Sequence, residues 1–593
     1  VLPTLASPTI HAAEFKLGES VQGKFNALVT LGTQVRVEAP SADVIGANTA
    51  ARFGIKGNLG GGAGASDLNF PNGRPVSSVI KTVADLELRS GNFGIFGRAR
   101  AWYDYELIHG SRPFGHYPNR FVRNTPFNDD SYGAGNKFAN AVVDDLYVFG
   151  NFKPSQGTRL NVRLGRQKVQ WGTTQLFAGG LGNIVNPRDG SASNRPGAVA
   201  DEVRIPEGMA YLNFGSGKNW DAEAFWQYEF RPALVMGCGQ YLSTSAYTAR
   251  GCDFVNVLPI TETAALASGA YPKRNADVVP GASKQYGLSL TLRPEELNTE
   301  FRLYAANYIH RSSLLRITTA DINGTQGSLA PPTYQRLTDP NGLKYGLLYV
   351  KDVLMFGASF DTKLQKNQRL YGELMYRPNL PVGVNSSDLI AAFVGRSPLS
   401  ALNLAKSTNA IAPGGSFDGY DSFKVTMAAL GYAGSFPQVL GAQAMNLTAE
   451  LAYSHVAGLP DPGRLRYGRS DDYGVAAVTG GAACVDNSVA KKQCALKGFV
   501  TPHSWGVRLL GSARYANVIP GATLTLALGI AKDLSGNSVE GIFTEGALAI
   551  NPRIRADWGR KYYAELSYVN ISGGAYNVFI DRDSASLILG MRF

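Results

Sequence analysis

Apolar and polar residues alternate along most of this chain with the period of two that a strand needs when its two faces meet different surroundings. The clearest run is Val21 to Val37. There Val21, Phe25, Ala27, Val29, Leu31, Val35 and Val37 share one face, and Gln22, Lys24, Asn26, Thr30, Gln34 and Arg36 share the other. The closing residues behave alike: Ala585, Leu587, Leu589, Met591 and Phe593 alternate with Ser584, Ser586, Gly590 and Arg592, with Ile588 the exception. One apolar face and one small or polar face suit lipid on one side and a wet lumen on the other.

The same alternation predicts strands near 79–88, 93–107, 139–152, 158–169, 209–214, 220–230, 285–292, 299–309, 347–360, 368–377, 422–432, 444–456, 504–515, 522–531, 545–554 and 561–570. With the two above this makes about 18, and an even count returns both ends to one side of a membrane. Tight turns such as Ser90-Gly91-Asn92 alternate with long loops. The fold class expected is all-β: a single closed antiparallel transmembrane β-barrel over 21–593, with long extracellular loops and short periplasmic turns. Residues 1–20 read either as the remnant of a signal peptide, with Ala12 and Ala13 as its small residues, or as an N-terminal periplasmic arm.

Composition narrows this further. No run of about 18 apolar residues exists, which excludes a helical membrane protein, and the mean hydropathy of −0.10 hides hydrophobicity at every second position. The net charge of +11 comes from scattered Lys and Arg without interleaved aromatic runs, so no nucleic-acid partner is expected. Four cysteines fall as two close pairs, Cys238 with Cys252 and Cys484 with Cys494, whose spacing suits loop disulfides in an oxidising compartment and not zinc. Asn128-Asp129-Asp130 and Asp471-Asp472 lack the ligand spacing of a calcium loop, and no metal or cofactor is expected. None of the six His is flanked by a nucleophile pattern, so an enzyme is not expected.

Parity places Arg98, Arg100, Trp102, Asp104 and Glu106 inside the lumen from the third strand, and Arg159, Asn161 and Arg163 from the fifth. Asp221, Glu223 and Glu229 follow on the seventh, Arg302, Tyr304 and Tyr308 on the ninth, and Tyr371, Glu373 and Arg377 on the eleventh. Arg508, Ser512 and Arg514 follow on the fourteenth. Such charges either keep a wet wall satisfied or select a solute. The loop from Trp171 to Pro206 carries Arg188, Asp189, Asp201, Glu202 and Arg204. At about 35 residues without a strand it is expected to fold inward, over 172–206, as a constriction beside Arg98, Arg100, Arg159 and Arg163. The alternative is a surface flap resting on lipopolysaccharide.

R-L-G-R-Q-K-V-Q-W-G at Arg163 to Gly172, N-I-V-N-P ending at Pro187, R-P-G at Arg195 to Gly197 and E-A-F-W-Q-Y-E-F at Glu223 to Phe230 form one set of motifs. D-V-L-M-F-G-A-S-F at Asp352 to Phe360, D-L-S-G-N-S at Asp533 to Ser538, and G-G-A-Y-N followed by D-R-D at Asp581 to Asp583 complete it. In this order they resemble a large proteobacterial outer-membrane family long catalogued as a domain of unknown function. The resemblance implies an exported barrel of the Gram-negative outer membrane. It also implies two partners encoded nearby: a periplasmic lipoprotein like a lipoprotein-sorting factor, and an inner-membrane transporter of the resistance-nodulation-division type.

Two functions stay open. One is an outer-membrane channel for small hydrophobic or amphipathic organic molecules that works with those partners. The other is a substrate-selective diffusion porin for small polar or anionic solutes; a structural or adhesive barrel is a lesser third. Lipid and lipopolysaccharide are expected around the barrel in each case.

Overall fold

Alternation of this kind, repeated on neighbouring strands, rolls into a wall only if the last strand returns to the first. The computed structural model describes residues 13–58, 64–177, 179–322, 333–394, 400–481, 483–486 and 488–593. Its barrel strands open with β1 (Val21–Arg36), β2 (Pro75–Ser90), β3 (Phe93–Asp104), β4 (Ala139–Phe152), β5 (Arg159–Gln167) and β6 (Glu207–Gly215). They continue with β7 (Trp220–Gln227), β8 (Gln285–Leu292), β9 (Thr299–Tyr308), β10 (Val353–Gln365), β11 (Gln368–Gly383) and β12 (Tyr420–Pro437). The last are β13 (Ala444–Ala457), β14 (His503–Ile519), β15 (Ala522–Ser535), β16 (Leu548–Trp558), β17 (Tyr562–Ser572) and β18 (Ser584–Arg592). Each pairs antiparallel with the next, and β18 pairs with β1 from Leu28↔Arg592 to Arg36↔Ser584. Closure continues to the last residue, where the Phe593 N–H donates to the Ala27 carbonyl at 2.9 Å. It removes the unpaired edges that lipid cannot satisfy.

The faces fall as the alternation requires. Leu31, Leu526, Leu528, Leu587 and Leu589 are exposed on the outer face, while Thr30 and Arg36 are buried inside. Exposed aromatics form two girdles, with Phe93, Trp220, Trp558 and Tyr562 at the short-turn ends and Tyr103, Trp226, Tyr286 and Trp505 at the long-loop ends. That is the outer surface of a transmembrane barrel.

Three expectations need correction. The third strand stops at Asp104, whose carboxylate caps the helix Tyr105–His109 by accepting from the Leu107 N–H at 3.1 Å. Glu106 therefore leaves the wall and pairs with Arg112 at 3.1 Å. Glu229 lies beyond β7 and holds Arg166 at the rim, 2.7 Å away, instead of lining the lumen. The tenth strand begins at Val353, because Lys344–Leu348 belongs to a small sheet with Leu314–Thr318, Ser416–Asp418 and Lys273–Arg274 among the long loops.

Ahead of the barrel, Ala13–Leu17 folds back on Val21–Phe25 as an exposed arm; residues 1–12 lie outside those described. Both expected disulfides form, with Cα atoms 5.9 Å apart for Cys238–Cys252 in the β7–β8 loop and 5.8 Å apart for Cys484–Cys494 in the β13–β14 loop.

The loop between β3 and β4 contains a pH-sensitive residue. His116 is buried against Phe127, with Nε2 and the Asn128 carbonyl 2.7 Å apart. Burial pushes its imidazole down to about 4, against the opposing hydrogen bonds to Asn128 and Asn119. The folded loop thus binds its proton more weakly than the unfolded chain does. Its stabilisation is complete above the unfolded value of 6.5 and is lost as pH falls from there towards 4, a change of about 3 kcal/mol. Amide hydrogen exchange across residues 116–138, corrected for intrinsic rates, is expected to accelerate between pH 7 and pH 4.5. His116→Phe should abolish most of that dependence.

Candidate functional site

The chain leaves β5 at Gln167 and turns into the lumen. Asn186 joins the two limbs of the resulting loop: its Oδ1 accepts from Val169 at 2.9 Å, and its Nδ2 donates to the carbonyls of Gln167 and Ile205 at 3.1 and 3.0 Å. Trp171 is buried where parity expects lumen, its Nε1 donating to Glu223 at 3.1 Å and its ring against Phe225 and Tyr304.

Two wall carboxylates then hold the outgoing limb by its backbone. Glu373 on β11 accepts from the N–H groups of Thr173 (2.8 Å), Thr174 (3.2 Å) and Leu181 (3.0 Å). Glu450 on β13 accepts from those of Gln175 (2.6 Å), Leu176 (2.9 Å) and Phe177 (3.1 Å), and from the Tyr371 hydroxyl at 2.8 Å. Loop N–H groups have no ladder partner, and a buried carboxylate needs donors, so each satisfies the other.

The returning limb crosses to the opposite wall. A backbone bridge between Arg188 and Arg204 closes its base. Asp189 takes Arg100 of β3 at 2.7 Å and caps the short turn at Ala192; Arg100 also holds Asp144 at 2.9 Å. Asp201 meets Arg98 at 2.9 Å, Arg98 meets Asp85 at 2.6 Å, and Glu202 is buried in an ion pair with Lys81 of β2. Gly197 adopts φ 73°, and a Cβ there would come within 2.5 Å of Thr30, so only glycine seats the tip so closely. Val199 packs on the Leu28, Tyr563 and Ile588 cluster.

Arg98, Arg100, Asp189, Asp201 and Glu202 are therefore brought together by the loop, while Trp171 sits against β7 and β9. Arg159 stands apart, paired with Asp221 at 3.2 Å toward the short-turn end, and Arg163 stacks on Tyr211 at 3.9 Å. Asp104 sits at the rim of the wall, bonded to the Ser78 N–H at 3.1 Å.

A gap remains between the loop tip and one stretch of wall. It is a cavity of about 300 Å³ bounded by Ser193 to Val199 on the loop side and by β16, β17 and β18 on the other. Asn551, Arg553 and Arg555 line it from β16, and Glu565, Ser567 and Val569 from β17. Arg582 and Phe579 stand toward its long-loop end.

A family model described as "Protein of unknown function (DUF1302)" matches residues 1–593. The chain belongs to this family. The resemblance carried by Arg163 to Gly172 and the later motifs is thereby confirmed. No curated protein matches the chain in sequence. Among solved structures it is similar to Acinetobacter baumannii OccAB1, at 10% identity and a TM-score of 0.39 over 96% of both chains. Pseudomonas aeruginosa OccK8 (OprE) is similar at 9% and 0.39, over 96% of this chain and 98% of that one. The outer membrane channel DcaP of Acinetobacter baumannii is similar at 8% and 0.34, over 99% and 100%. At such distances these likenesses assign no function, and the site of this DUF1302 chain rests on its own residues.

Several of those residues are absent from the sequence expectation. Lys81, Glu450, Arg553 and Arg555 sit on inward faces of strands whose alternation was legible, so extending parity to the second, thirteenth and sixteenth strands finds them. Asp144 and Asp145 are different. A bulge opposite Arg98, between the pairs Gly97↔Leu146 and Ala99↔Val143, turns both inward. Alternation permits only one of two neighbours to face the lumen, so no parity argument reaches the second.

Proposed function

We propose that the protein is a transport channel of the bacterial outer membrane for small organic anions that carry an apolar part. The inward loop acts as the constriction, and the cavity beside it as the passage. The carrying observation is the lining of that cavity: four arginines, Arg195, Arg553, Arg555 and Arg582, against a single glutamate, Glu565, with Val199, Val569, Ile571 and Ile588 between them. A low-dielectric cleft whose lining holds more positive than negative charge concentrates anions, even with Arg555 paired to Asp557 and Arg582 to Asp67, and its apolar patches suit a hydrocarbon portion. The volume fits a solute of ordinary metabolite size. The contact of Val199 with Leu28 and Tyr563 lies toward the short turns, the side from which a periplasmic lipoprotein and an inner-membrane transporter would take the solute onward.

Planar-bilayer recordings test this. The expected result is a small, steady conductance whose reversal potential under a KCl gradient favours chloride, with the Arg553→Gln, Arg555→Gln double variant shifted toward potassium. Cation selectivity in the unaltered protein, or no conductance with or without the loop, overturns it.

A further inference from the structure

One stretch of the barrel wall is paired differently from the rest. Between β16 and β17 the pairs Ile550↔Asn570 and Arg553↔Ser567 keep a single register, yet Asn551 and Pro552 make no ladder pair with Tyr568 and Val569 between them. Among the described barrel residues, every other interruption between neighbouring strands is a register shift at a bulge or a strand end. The cause is local. Pro552 has no N–H to donate, and its flanks toward β15 are continuous through Leu528↔Pro552 and Gly529↔Asn551, so the deficit falls on the β17 side. The Asn551 side chain bridges the gap instead, its Nδ2 donating to the Tyr568 carbonyl at 2.6 Å.

This gap is placed at the cavity. Asn551, Arg553, Ser567 and Val569 line the cavity from the two strands that fail to pair, while Pro552, Ile554 and Leu566 of the same strands are exposed on the lipid face. Arg553 Nε donates to Asn551 Oδ1 at 2.5 Å, so a solute anion drawn to Arg553 competes with that oxygen for the guanidinium and releases one hold on the amide that bridges the gap. A proline facing lipid inside a transmembrane strand loses a hydrogen bond where no water replaces it.

We propose that β16 and β17 part at this point to give a lateral exit. The apolar tail of a long-chain organic anion slides between them into the outer leaflet while its charged end stays on Arg553. The inference rests on the channel reading above and gives tailed anions, such as alkyl carboxylates, a route of their own beside the path of tail-less solutes.

Uptake by cells with an intact lipopolysaccharide leaflet tests it, with two probes: dansylaminoundecanoate, whose emission rises on entering lipid, and radiolabelled benzenesulfonate, which has no tail. Pro552→Val restores the missing donor. It is expected to slow dansylaminoundecanoate uptake about fivefold, the population change that one backbone hydrogen bond produces, and to leave benzenesulfonate uptake unchanged. Asn551→Ala removes the bridge and is expected to speed the tailed probe. Retained heat-modifiable migration on gels certifies that each variant is folded. Equal effects on both probes, or none from Pro552→Val, overturn the lateral exit. An unaltered protein that admits benzenesulfonate but not the tailed probe also overturns it and leaves the channel standing, whereas one that admits neither overturns the channel reading itself.

Discussion

Glu450→Ala is expected to convert the small, steady conductance proposed above into a large and noisy one. The Glu450 carboxylate is buried and receives three consecutive loop N–H groups besides the Tyr371 hydroxyl. Hydrogen bonds to a charged acceptor are worth about 1.5–3 kcal/mol each, and donors left buried without a partner cost about as much again. Shared partners make these contributions non-additive, and a net loss of about 4–6 kcal/mol is expected. The wall of β13 keeps its ladder, so the barrel stays closed while the segment from Gln175 to Phe177 comes away from it and Thr173 and Thr174 stay on Glu373. Glu450→Gln keeps the shape and one acceptor and should fall between. Single-channel recording decides: an Ala variant with unaltered conductance means that the loop does not narrow the path.

Lys81→Met is expected to release the other limb. Lys81 and Glu202 are both buried, and Glu202 also caps the turn by accepting from the Val199 N–H at 3.1 Å. Removing one member of a buried pair leaves the other charged and unpaired, at a cost of about 3–5 kcal/mol. Adding Glu202→Gln to Lys81→Met removes the orphaned charge and should recover a substantial part of that loss. A double-mutant cycle on thermal unfolding in detergent measures the coupling. Strictly additive single effects would mean that the two side chains do not act as a pair.

The barrel was legible because its rule is local: each strand reports its own two faces, and Val21 to Val37 or Ser584 to Phe593 can be read without knowing any neighbour. Strand ends were harder. Nothing in the alternation distinguishes Asp104 as the last residue of a strand from Asp104 as the cap of a helix, since both place it at an inward position. The loop from Trp171 to Pro206 could be picked out by length and charge, but not its anchors. Asp189, Asp201 and Glu202 find Arg100, Arg98 and Lys81 across a lumen whose width depends on all 18 strands at once. The cavity lining was out of reach for the same reason, because Arg553 and Arg555 acquire a role only from the place where the loop fails to fill the space.

The loop touches strands that come before it in the chain and strands that come long after it. Its tip rests on β1 and β18, which are the pair that closes the wall, and its outgoing limb hangs from β11 and β13. A segment held on all sides cannot be threaded into a finished cylinder. It is expected to be enclosed as the cylinder forms, as a mandrel around which the later strands curl. Pairings such as Leu28↔Arg592, among the most distant in sequence, are expected to form late, because they close the longest stretch of chain. Refolding from urea into detergent should therefore depend on a segment that contributes no strand to the wall.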